Sequence, residues 1–84
     1  MERIVFSHHA RLQMTERGAT EAEIVETIRS GEHLLAKHGR LAYRHNFQYN
    51  RKWGGKLYTT KQVMPVVKRE RGSVVVITVY TFYF

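Results

Sequence analysis

The hydrophobic period of this chain changes once, at Gly31, and that change restricts the fold more than any other feature. Before it, apolar residues recur three and four apart; after it, they alternate. The first spacing lines one face of a helix and the second lines one face of a strand. Ser7 is a good N-cap, Gly18 stands where a helix C-terminal glycine belongs, and Ala10 and Met14 mark the buried stripe between them. The first helix is therefore expected over about residues 8–17. Thr20 with Glu23 three residues later has capping-box spacing, and Ile24, Val25 and Ile28 give an apolar face that ends at Gly31. Joined by Gly18-Ala19, the two short helices form a helical hairpin.

Ile4-Val5-Phe6 reads as a short extended lead-in. Beyond Gly31, Leu41, Tyr43, Phe47 and Tyr49 recur at spacings of two or four, as in a strand with an aromatic face. A weaker strand at His33–Lys37 pairs with it through His38-Gly39-Arg40. Arg51 to Lys56, with Trp53 and Gly54-Gly55, reads as a turn or exposed loop. Leu57 to Arg69 holds a strand centred on Val66-Val67, in which Pro65 lacks an N–H and so signals an edge, a bulge or the strand start. After the Arg71-Gly72 turn, Ser73 to about Thr81 is the strongest strand. Its run Val74-Val75-Val76-Ile77 is apolar on both faces, which places it centrally.

The expectation is a single α+β domain over residues 1–84, with two N-terminal helices packed on a twisted antiparallel sheet of three to four strands. The other sheet face is left at least partly open. Alternation alone does not decide whether Val75, Ile77 and Val79 or Val76, Thr78 and Tyr80 meet the helices.

The chain has no cysteine, which excludes a disulfide framework and a thiolate metal site, so core packing must hold the fold. Fourteen Lys and Arg face seven Asp and Glu, a net charge of +7 on 84 residues. Such an excess draws polyanions. The signs are segregated: five of the seven acids lie between Glu16 and Glu32, whereas Lys37 to Arg71 carries ten Lys and Arg against one Glu. No signal peptide is read at the N-terminus, and the apolar run Val74 to Phe84 is too short for a membrane helix. A cytoplasmic protein without membrane association is expected. The five histidines show no compact metal spacing, and Gly54-Gly55 alone is only a turn signal, so no metal or cofactor is expected.

Three groups of residues carry chemistry. His9, Gln13 and Arg17 are four apart and form one oblique polar ridge on the first helix. Histidine exchanges a proton near neutrality, and arginine forks onto phosphate oxygens. The plainer reading is that His9 supports the helix start with His8 while Arg17 holds the last carbonyls. Arg44 and His45 stand among Tyr43, Phe47 and Tyr49, the mixture of cations and rings that suits single-stranded RNA, although such rings equally form a core. Arg51, Lys52, Trp53 and Lys56 make a basic, glycine-bearing segment whose ring suits a base or a partner protein as well as a turn. The aromatic tail Phe82-Tyr83-Phe84 is expected to pack on the core or into a homodimer contact.

The stretch from Phe6-Ser7-His8-His9-Ala10 through Glu16-Arg17-Gly18-Ala19-Thr20 resembles the opening of a bacterial family of unknown function, and Val74 to Tyr80 resembles its valine-rich ending. That family is similar to the RelE, ParE and BrnT toxins, within the wider barnase-like and RelE-like ribonucleases. The resemblance implies two helices on a twisted antiparallel sheet, with RNA cleaved on or beside the open sheet face. It places His9, Arg17 and Thr78 at motif positions, with Gln13 where the family usually has arginine; Tyr80 joins Thr78 by sharing its strand face. On this reading the chain is a metal-independent endoribonuclease, the toxin of a toxin–antitoxin pair. His9 transfers protons, with His45 in reserve, Arg17 and Arg44 hold phosphate, and Thr78 or Tyr80 hydrogen-bonds. Its substrate is RNA, free or on the ribosome, and its partner an acidic antitoxin protein. The alternative is a non-catalytic basic module that binds RNA, the ribosome, DNA or an acidic protein.

Overall fold

A computed structural model describes residues 2–84. The chain runs β1 (Arg3–Phe6), α1 (His8–Arg17), α2 (Glu21–Ser30), β2 (Glu32–Leu35), β3 (Leu41–Trp53), β4 (Lys56–Glu70) and β5 (Ser73–Tyr83), with one 3-10 turn at Lys37–Gly39. Both helices follow their local signals. The Ser7 hydroxyl accepts from the Ala10 N–H, and Gly18 closes α1 at φ 76°. Thr20 and Glu23 make the reciprocal capping box of α2.

The sheet has five strands in the order β1-β5-β4-β3-β2 and is mixed. This corrects the expected three to four antiparallel strands. The N-terminal lead-in is itself a strand, pairing in parallel with β5 from Arg3↔Ser73 to Phe6↔Val76. Since β1 and β2 lie at opposite edges, the helical hairpin crosses the whole sheet. α1 packs against β5, and α2 against β3 and β4.

The core lies between the helices and one sheet face. Ala10, Met14 and Ile24 meet Tyr43, Val63, Val67, Val76 and Val79, with Ile4, Phe6 and Phe47 packed around them. Pro65 sits in the middle of β4, the central strand, opposite Val79. The β3–β4 ladder pairs Ala42 with Val66 and His45 with Val63 but skips Tyr43 and Arg44 between them, the stretch facing the residue that has no N–H to donate. One position away, the β4–β5 register shifts between Val66 and Val67, so β5 carries a bulge at Ile77. That extra residue answers the question alternation leaves open: Val74 and Val76 face the helices before the bulge, and Val79 faces them after it. Thr78, Tyr80 and Phe82 consequently lie on the open face.

The expected loop from Arg51 to Lys56 is instead the tip of a long hairpin. β3 continues to Trp53, and Gly54 and Gly55, both at positive φ, form a two-residue turn into β4. Two-residue hairpins favour that backbone sense. Trp53 stacks on Tyr83 with ring centroids 4.9 Å apart and planes 13° apart. Its six-membered ring covers Gly18 so closely that a Cβ there would lie 2.7 Å away. The tail also packs: Phe84 exchanges backbone hydrogen bonds with Thr60, and the Tyr83 hydroxyl donates to the Arg17 carbonyl at 2.7 Å. No helix among the described residues is long and apolar enough to cross a membrane.

Candidate RNA-facing sheet surface

The edge of β5 positions the first group of candidate residues. β1 ends at Phe6, and the Ser7 N–H donates to the Val76 carbonyl as the chain turns into α1. Beyond that point β5 keeps β4 on one side and has no strand on the side that β1 leaves. Two side chains of α1 take the place of one: Gln13 accepts from the Val79 N–H at 2.8 Å, and Arg17 donates to the Val79 carbonyl at 2.6 Å. Arg17 therefore does not cap its own helix end. Thr81 and Tyr83 donate to the Arg17 carbonyl instead, and the Lys61 ammonium reaches the Gly18 carbonyl. The Arg17 guanidinium carbon also lies 5.2 Å from the centre of the Tyr80 ring.

The structure thus brings Arg17 and Tyr80 together, with Thr78 on the same open face. His9 stays apart: it is exposed on the same ridge, two turns before Arg17. His45, half-buried on β3, packs edge-on against Phe47 with centroids 4.8 Å apart and lines a polar cleft of about 500 Å³ with Glu32, Arg44, Asn46 and Gln62. Arg44 is engaged there by Glu32, through Nε at 3.2 Å and Nη2 at 2.9 Å. At the hairpin tip, Arg51, Lys52 and Lys56 are exposed, whereas one face of Trp53 is taken by Tyr83. Arg51 lies over the Tyr49 ring at 5.0 Å and Lys56 over the Tyr58 ring at 5.7 Å.

Thr78 and Tyr80 also line a depression of about 390 Å³ on the open face. Its floor is Ala42, Met64 and Val66; its wall is the segment from Leu34 to Arg40. Lys37, His38 and Arg40 stand on that wall, and no carboxylate lines it. Reading the sequence as a turn at His38-Gly39-Arg40 overlooks these three residues, because their closeness to Thr78 and Tyr80 depends on strand order. The signal that was there is two cations flanking a histidine in a stretch without acids.

Five of the fourteen Lys and Arg side chains form ion pairs, with Glu2, Glu21, Glu23, Glu32 and Glu70. Nine have no such partner among the described residues, and they include the hairpin tip and the Lys37–Arg40 wall. Among those residues, no three His, Cys, Asp or Glu side chains converge as metal ligands would.

Fold and surface together define a basic α+β domain, with two helices closing one face of a mixed sheet and an open opposite face walled by cations. The chain belongs to the family described as a domain of unknown function, DUF4258, whose family model matches residues 6–81. No curated protein and no solved structure matches it.

Proposed function

We propose that this protein is a cytoplasmic, metal-independent endoribonuclease with a RelE-like fold, the toxin of a toxin–antitoxin pair. The observation that carries the reading is the Arg17 guanidinium resting on Tyr80 at the edge of an open sheet face that also presents Thr78. In the reaction, a ribose 2′-oxygen bonds to the adjacent phosphorus as the bond from phosphorus to the 5′-oxygen breaks. The 2′-OH proton passes to a base, and an acid protonates the departing 5′-oxygen, leaving a cyclic phosphate and a 5′-hydroxyl. His9 exchanges protons, with His45 in reserve. Arg17 keeps one nitrogen on Val79 and offers its remaining donors to the phosphorane, a role Arg44 shares when it leaves Glu32. Thr78 and the Tyr80 hydroxyl hydrogen-bond the same phosphate. The nine cations without ion-pair partners suit an acidic antitoxin as well as RNA.

Inducing wild type and His9→Ala in bacteria and mapping new RNA 5′ ends tests the reading. Cleavage sites that appear with wild type and fall at least about a hundredfold with His9→Ala are expected, the scale of a positioned acid–base group. Near-full cleavage by His9→Ala takes His9 out of the mechanism. One observation favours a second reading, a non-catalytic RNA-binding module: neither His9 nor His45 is hydrogen-bonded to Arg17, Thr78 or Tyr80. Bound but intact RNA, with no new ends, selects that module.

A further inference from the structure

On the open face an apolar floor and a basic wall meet in one depression. Met64 and Val66 on β4 lie opposite Tyr80 and Thr78 on β5, so the middle of the open face presents two aliphatic side chains beside an aromatic ring. Tyr80 is 40% exposed, which leaves ring area free for a further contact. At the margin, Lys37 and Arg40 form no ion pair among the described residues, and the depression contains no carboxylate. His38 is held between them at φ 63°. A non-glycine residue in the left-handed region is uncommon, and such backbone is over-represented at ligand sites. The depression, about 390 Å³, falls within the range of small-ligand sites.

We propose that this depression is a nucleotide subsite for unpaired RNA, an inference that rests on the RNA reading above. One base lies on Met64 and Val66 with its face or edge against Tyr80, and the flanking phosphate sits between Lys37, His38 and Arg40. The chemistry selects single strands. A flat apolar floor recognises the face of a base, and in a duplex both faces are covered by stacking neighbours while only phosphates remain accessible. A cationic wall without a floor would bind duplex and single strand alike. The subsite therefore gives the domain a preference that the rest of its positive surface cannot supply.

Fluorescence anisotropy with a labelled single-stranded RNA of mixed sequence, and with the same strand annealed to its complement, tests this on the full chain. Wild type is expected to bind the single strand more tightly. Tyr80→Ala should weaken single-strand binding about tenfold, the scale of a lost base–aromatic contact, and bring it near duplex affinity. Lys37→Ala/Arg40→Ala should weaken both, with far-ultraviolet circular dichroism confirming that each variant is folded. Equal binding of single strand and duplex by wild type, or folded variants that bind as wild type does while Arg51→Ala/Lys52→Ala loses affinity, overturns the subsite but leaves the RNA reading standing. No binding of either RNA by wild type overturns both.

Discussion

The guanidinium of Arg17 and the carbonyl of Val79 form a 2.6 Å hydrogen bond that finishes a sheet edge no strand covers. Gln13, one turn earlier, takes the Val79 N–H. An edge strand whose polar groups are unpaired invites pairing with another chain, and covering it with a helix is one way to prevent that. Here two side chains of α1 supply the missing strand's donor and acceptor. The same contact turns Arg17 toward Tyr80, so edge closure and the candidate site share one residue.

Removing either partner should therefore cost stability. Gln13→Ala leaves the Val79 N–H without its partner in a buried setting, which costs about 1–3 kcal/mol. Arg17→Ala loses a charge-assisted bond worth about 1.5–3 kcal/mol, although Arg17 is only half-buried and the lower end applies. Urea unfolding followed by tryptophan fluorescence reads both. Wild-type midpoints in the two variants would show that the β5 edge closes without them. Any loss of cleavage in Arg17→Ala has to be separated from this unfolding.

Lys61 presents a second test. Its side chain is 4% exposed, and its ammonium reaches both the Gly18 carbonyl and the Glu23 carboxylate, the latter at 2.8 Å. Glu23→Gln keeps an oxygen for the capping box but removes the charge opposite a buried ammonium. Breaking a fully buried pair in that way costs about 3–5 kcal/mol. Glu23 is 22% exposed, so about 2 kcal/mol is expected. Lys61→Met, which removes the buried charge and keeps its stem, should cost less. The reverse order in denaturant unfolding would mean that the Lys61 hydrogen bond to Gly18, rather than the ion pair, holds the helical hairpin to β4.

How far the sequence carried depends on whether a signal was local. Both helices are written in adjacent residues, Ser7 with Ala10 and Thr20 with Glu23, and they form as expected. Ile4-Val5-Phe6 reads as extended, but nothing local shows that it joins the sheet, because Arg3 pairs with Ser73, seventy residues away. The facing of β5 was undecidable from alternation, since a bulge at Ile77 exchanges its faces midway. Trp53 extends β3 because Tyr83, at the far end of the chain, gives its ring a place to stack. The site follows the same rule: Tyr80 is legible from Thr78 because the two share a strand face, whereas His38 joins them only through the order of β2, β3, β4 and β5.

Tyr83 should make stability fall in alkali. Burial pushes its phenol above the usual 10.0; a hydrogen bond with the Thr81 side chain opposes the rise, and Tyr49 and Glu23 add to it. The neutral hydroxyl also donates to the Arg17 carbonyl. Below pH 10 both folded and unfolded chains keep the proton, and the stabilisation is complete. As pH rises through 10 the unfolded chain ionises first, and the advantage shrinks until the folded phenol ionises as well. Thermal midpoints of wild type and Tyr83→Phe, compared from pH 8 to pH 11, should converge or cross as pH rises. A constant gap across that range would mean that the Tyr83 hydroxyl is not held neutral by the fold.

The hairpin tip should act through charge alone. Arg51, Lys52 and Lys56 are exposed and lack ion-pair partners among the described residues, while the nearby tryptophan is stacked on Tyr83. If RNA runs along this tip, each cation displaces counterions from a phosphate, and for single strands each contact contributes about 0.7 to the slope of log affinity against log salt. Arg51→Ala/Lys52→Ala/Lys56→Ala should lower that slope by about 2 and weaken binding uniformly across RNA sequences. The measurement is a salt titration of anisotropy with two RNAs of different composition. An unchanged slope would place the phosphate track elsewhere, on the Lys37–Arg40 wall or the α1 ridge. A change in sequence preference would instead show that the tip reads bases, a role its stacked Trp53 ring leaves little free surface to perform.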